Sequence, residues 1–164
     1  MDSSVFNFKS EMKLIEVKEV IEGKGSVCSK ILSHLPKWFG RQDSVLEHIE
    51  LVENYTMFAA YKNGELVGFI SAKENSPATI EIYVMAVELS QHRQGIGSLL
   101  VSRVEDFCRK KAFKLLLVKT VGPSRDNNDY KKTRMFYAAR GFLELEEILN
   151  FWEQNPGLFL VKPI

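Results

Sequence analysis

Apolar residues recur along this chain with two periods, and the change from one to the other marks out its elements. Residues 13–20 alternate weakly and predict a first strand. Gly23 and Gly25 break the chain after it. Residues 26–35 then carry Val27, Ile31, Leu32 and Leu35 at helical spacing. Pro36 ends that helix, because the residue before a proline is pushed out of the helical region. After a loop over 37–42, Asp43 or Ser44 is expected to cap a second helix running to about residue 54. Val45, Leu46, Ile49 and Val52 form its inward face.

Residues 56–61 and 65–73 are β-rich runs joined by Lys62-Asn63-Gly64. An Asn-Gly step between two such runs predicts a hairpin, because both residues tolerate positive φ. Asn75-Ser76-Pro77 turns the chain into a third strand over 79–87. Polar, glycine-bearing residues 91–97 lead into a long amphipathic helix over 96–112. Ile96, Leu100, Val104, Phe107 and Cys108 mark its buried face, and Arg103, Glu105, Asp106, Arg109 and Lys110 lie mainly elsewhere. The continuous apolar run 115–120 predicts a central strand, closed by Gly122-Pro123. Residues 126–129 offer caps for a helix over 130–140, which Gly141 stops. Two strands, 142–150 and 158–162, complete the order. This is an α/β chain, with a mixed sheet and helices packed on its faces.

The 164 residues fit one domain over 1–164, with residues 1–11 expected as a flexible N-terminus. A net charge of +1 argues against duplex nucleic acid as a partner, because displacing phosphate counterions needs a basic excess. The basic cluster Arg109-Lys110-Lys111 with Lys114 reads as a solvated helix face, or as help with the phosphates of a small cofactor. Cys28 and Cys108 are too far apart in sequence for a zinc site or a disulfide framework, so no metal is expected. No signal-peptide core and no membrane-length apolar run is present, which makes the cytoplasm the expected location.

The segment His92-Arg93-Gln94-Gly95-Ile96-Gly97 joins a predicted strand to a predicted helix. A helix start exposes unpaired backbone N–H groups, and glycines let an anion approach them, so the context suits a phosphate or a plain tight turn. A Walker-type loop is absent. A dinucleotide fingerprint needs a third glycine where Leu100 stands and an acidic residue further on, and residues 114–120 contain none. The segment resembles the acyl-CoA signature of the GNAT superfamily of N-acetyltransferases, (Gln/Arg)-x-x-Gly-x-(Gly/Ala), with His92 at the first position. Residues 81–87, Glu-Ile-Tyr-Val-Met-Ala-Val, look like that family's fourth strand. Residues 136–142, Phe-Tyr-Ala-Ala-Arg-Gly-Phe, resemble its Phe-Tyr-x-x-x-Gly-Phe segment.

The resemblance spans about residues 12–164. It implies a GNAT-like fold of about seven mostly antiparallel strands flanked by about four helices. It also implies acetyl-CoA as co-substrate, held by Met85, Ala86, Val87, His92, Arg93, Gln94, Gly95, Ile96, Gly97 and Ser98. Many members carry an Asn that contacts the cofactor arm at the position of Tyr130, so Tyr130 takes that place here. Asn127 and Asn128 are out of register. A homodimer is common in the family and is one state open to this chain.

Amide formation from a thioester needs a neutral amine, a proton acceptor, a donor for the oxyanion and an acid for the departing thiolate. An alkyl ammonium has a pKa of about 10.4, so few such amines are neutral at pH 7. Tyr137 matches the family's acid tyrosine, and its alternative is a packing role. Glu81 stands where the histone-acetylating branch places its base. The alternative is a solvent-facing strand residue, and Glu88 is a second candidate. Trp38, Phe39 and Tyr83 are expected to line the acceptor pocket, or else to pack in the core. His92 is expected to shape its loop or to meet phosphate, while His34 and His48 receive no chemistry. The expected function is acetyl transfer from acetyl-CoA to a primary amine of a small molecule or peptide. The alternatives are a non-catalytic acyl-CoA-binding module and an enzyme of aminoacyl-tRNA, which the near-neutral charge disfavours.

Overall fold

The computed structural model describes residues 14–164. The expected flexible segment 1–11 and Lys13, at the start of the first predicted strand, lie outside the described residues. The order is β1 (Ile15–Glu19), α1 (Lys24–Leu32), α2 (Gln42–Leu51), β2 (Thr56–Lys62), β3 (Glu65–Ser76), β4 (Thr79–Val87), α3 (Ile96–Lys110), β5 (Leu115–Val121), α4 (Asn128–Ala139), β6 (Leu143–Trp152) and β7 (Asn155–Pro163). Seven strands hydrogen-bond in the order β1-β2-β3-β4-β5-β7-β6. The β4–β5 pair is parallel; β1–β2, β5–β7 and β6–β7 are antiparallel. The hairpin turn between β2 and β3 has Asn63 at φ 51° and Gly64 at φ 81°, the paired positive values that suit a two-residue hairpin.

Two compact units divide the described chain. One holds the residues up to Ser71 together with Val84–Val104, and the other holds Ala72–Tyr83 with Glu105–Ile164. In the first unit Ile31, Val52, Met57, Phe69, Ile70 and Leu100 are buried. Gly25 lies inside α1 rather than breaking the chain. A Cβ there would meet Ile49 O at 2.8 Å, and its N–H donates to Glu53 Oε1 at 2.7 Å, so a larger residue would push α1 away from α2. Neither Asp43 nor Ser44 caps α2. Arg41 holds the cap position with no side-chain cap bond, and its guanidinium donates to Asp43 Oδ2 at 2.9 Å. Leu46, expected inward, is 65% exposed, and Val45 and Ile49 are only half-buried, because α2 lays just one edge against its neighbours.

In the second unit Leu116, Val118, Phe142, Leu158 and Leu160 form the core. Glu105, expected on the polar side of α3, is buried there and takes Lys162 Nζ at 2.5 Å. Asn127 caps α4, its side-chain oxygen accepting from the N–H groups of Asp129 at 3.0 Å and Tyr130 at 3.1 Å. Asn127→Ala is expected to lower stability by about 1 kcal/mol, read as an earlier urea midpoint with an unchanged slope.

Both cysteines are buried, and burial pushes the Cys28 thiol up to about 12 and the Cys108 thiol up to about 11. Neither is a nucleophile at neutral pH. An acid whose pKa is raised on folding stabilises fully below its unfolded pKa. That contribution is lost as pH climbs through the folded value. Stability should therefore be insensitive to these thiols below about pH 8 and fall from about pH 9 upward. Urea unfolding at several alkaline pH values checks this, and replacing each cysteine by Ala should flatten the decline.

Candidate active site

The β4–β5 ladder runs from Thr79↔Leu115 to Ile82↔Val118. β4 continues past it to Val87, and β5 continues to Val121 along β7. Backbone groups of β4 after Ile82 therefore stand outside that ladder. Met85 and Val87 are half-buried and Ala86 is buried. Gly68 on β3 admits Ala86, since a Cβ on it would lie 3.0 Å from Ala86 O.

In the first unit, β4 leads through a 3-10 turn, Leu89–Gln91, to the glycine turn. Arg93 at φ 64° and Gly95 at φ 78° are both left-handed and reverse the chain into α3. The first helical hydrogen bond there runs from Leu99 N–H to Gly95 O at 3.1 Å, so the N–H groups of Ile96 and Gly97 lie ahead of the ladder. A Cβ built on Gly95 meets nothing within 4 Å, which leaves the turn open to an incoming group. Open amides at the positive end of a helix suit a pyrophosphate.

His92 Nε2 lies 2.7 Å from Val87 O and so donates to it, tying the turn back onto β4. The Trp38 ring stands edge-on to the His92 ring, with centroids 5.9 Å apart. Phe39 instead meets His48 at 6.1 Å, and burial holds His48 below its usual value. Gln94 Oε1 accepts from Lys62 Nζ at 2.8 Å, and Gln91 Oε1 also lies 3.4 Å from that amine. Glu88, the second base candidate, is 2.7 Å from His34 Nδ1, a pairing the sequence did not suggest.

In the second unit Glu81 is buried, not solvent-facing. Its carboxylate accepts from Asn75 Nδ2 at 2.7 Å and pairs with Lys119 Nζ at 3.3 Å. Neither partner was read from the sequence. A lysine within the apolar run Leu-Leu-Leu-Val-Lys-Thr-Val was the available signal, because a charge in a central strand needs a partner. Tyr83, one residue past the ladder's last β4 position, is half-buried.

Tyr137 is buried between Phe136 at 5.1 Å and Phe142 at 5.2 Å, and burial pushes its phenol well above the usual range. Tyr130 is half-buried, and burial raises it too. Arg134, on the same helix face as both tyrosines, donates to Val121 O at 2.8 Å. Asn127 is committed to its cap. Among the described residues no group of three or more His, Cys, Asp or Glu is placed to hold a metal, and no helix is long and apolar enough to cross a membrane.

A mixed sheet whose fourth strand outruns its parallel partner, followed by a glycine turn opening a helix, defines an acyltransferase fold. The acetyltransferase (GNAT) family model matches residues 28–142, and the chain belongs to that family. Solved structures agree on the fold. A GNAT-family protein from Desulfovibrio desulfuricans is 17% identical, with a TM-score of 0.79 over 91% of this chain and 98% of that one. A GNAT acetyltransferase from Elizabethkingia anophelis with acetyl-CoA bound is 19% identical, with a TM-score of 0.73 over 92% and 99%. The Escherichia coli ribosomal-protein-S18-alanine N-acetyltransferase is 15% identical, with a TM-score of 0.74 over 92% and 94%. No curated protein matches at the sequence level.

Proposed function

We propose that this protein transfers the acetyl group of acetyl-CoA to a primary amine of a small molecule or peptide, by direct attack in a ternary complex. The observation that carries the reading is the buried Glu81 carboxylate, which already accepts a hydrogen bond from a primary amine of the chain itself. Acetyl-CoA supplies the thioester that the amine attacks. The glycine turn fits its pyrophosphate: Gly95, Ile96, Gly97 and Ser98 bring backbone, Arg93 and Gln94 flank it, and His92 holds the turn on β4. Met85, Ala86 and Val87 offer backbone groups to the cofactor arm, with Tyr130 as a side-chain contact.

Glu81 takes the proton that the amine must lose. A backbone N–H at the free end of β4 steadies the carbonyl oxygen as it gains charge. Tyr137, which burial keeps protonated but also makes a weaker acid, gives its proton to the departing sulfur. Trp38, Phe39 and Tyr83 border the acceptor. The aminoglycoside 6'-N-acetyltransferase solved with coenzyme A, 20% identical with a TM-score of 0.71, is compatible with a small amine as acceptor.

Calorimetric titration with acetyl-CoA, with NAD as control, tests the cofactor. Micromolar binding of acetyl-CoA alone is expected, and its absence in folded protein would remove the proposal. A panel of amines scored by free-thiol release then tests the transfer. Binding with no thiol release from any amine would favour a non-catalytic acyl-CoA-binding module.

A further inference from the structure

Glu81 has an amine of this chain against it, the Nζ of Lys119. Lys119 Nζ lies 3.3 Å from the carboxylate. It also stands over two aromatic faces, 5.9 Å from the centre of Phe151 and 5.4 Å from that of Phe159. Lysine side chains lose much rotamer freedom when fixed, so three contacts on one Nζ give it a defined position. Lys119 is the residue of β5 next after the last β4–β5 pair, Ile82↔Val118. It therefore begins the stretch where the two strands no longer pair. Its side chain is 26% exposed, so it is reachable.

We propose that Lys119 is itself an acetyl acceptor, so that the protein acetylates its own chain at the amine held on Glu81. This rests on the function proposed above. The ammonium paired with Glu81 first gives one proton to water, and the Nζ lone pair then attacks the thioester carbonyl carbon. The N–C bond forms, the C–S bond breaks, the amine's proton passes to Glu81, and the departing thiolate takes a proton from Tyr137. The product is a neutral amide. It no longer pairs with the carboxylate, and Glu81 keeps Asn75 as its other recorded partner.

Lys18 provides an internal control. It too pairs with a glutamate, Glu16 at 3.1 Å, but on an exposed surface where it is 63% accessible. Exposure alone therefore favours Lys18, and positioning on a base favours Lys119.

The test incubates the full chain with acetyl-CoA and no added amine, and follows each lysine by peptide mass spectrometry. Heat-unfolded chain measures uncatalysed transfer. In folded protein Lys119 should be modified at least about tenfold faster than Lys18, with no such preference after unfolding. Glu81→Gln should slow Lys119 by about 100-fold and leave Lys18 unchanged. Lys119 reacting no faster than Lys18 in the folded native chain overturns the proposal, whether or not the variant folds. The same samples are titrated with acetyl-CoA and assayed on the amine panel. Turnover of external amines without Lys119 acetylation overturns self-acetylation alone. Loss of binding and of all turnover overturns the functional reading with it.

Discussion

Tyr137→Phe is expected to lower kcat about 100-fold while leaving the Kd for acetyl-CoA within about twofold. The reason is geometric as much as chemical. The ring is packed between Phe136 and Phe142, so a phenyl group keeps the shape and the edge-to-face contacts, and only the hydroxyl is lost. A packing tyrosine would show a small change in stability and none in turnover. The measurement is steady-state thiol release beside calorimetric binding. Unchanged kcat would return Tyr137 to the core. Because burial raises its phenol, any alkaline fall in rate should begin above the usual value of about 10 unless another group titrates first.

Glu81→Gln should reduce turnover by a similar factor, about 100-fold near neutral pH, and should remove the acidic limb that a general base gives the pH–rate profile. An unchanged profile would exclude Glu81. The substitution keeps side-chain volume and an oxygen able to accept from Asn75, but it ends the charge pairing with Lys119. Stability should fall by about 2 kcal/mol, because Glu81 is buried while Lys119 keeps some access to water. Thermal melting separates the two effects: a lost acidic limb in a protein still folded at assay temperature is chemistry, not collapse.

The glycine turn and the tyrosine helix were legible because both depend on local backbone rules. Glycine is favoured where φ is positive, and Gly95 and Gly141 have φ of 78° and 86°. Asn63-Gly64 announced its hairpin for the same reason, and Asn127 fell among the expected caps of α4. The second helix was read less well. Helical spacing makes Leu46 look inward, but spacing assigns a face without saying whether anything packs against it.

The sequence by itself determined the order of strands and helices, the turn that suits an anion, and the candidate residues of the site. The first two follow from periodicity or from the conformational limits of single residues, which act over a few positions, and the candidate residues follow from the resemblance of short motifs to the GNAT family. Only the tertiary structure decided the surroundings of those candidates. Asn75 and Lys119 converge on Glu81, His34 reaches Glu88 across 54 positions, and Trp38 meets His92. Such partners come from strand register and chain crossing, which set distance and burial together. A carboxylate's power to take a proton depends on those two quantities, and neither is carried by its neighbours in sequence.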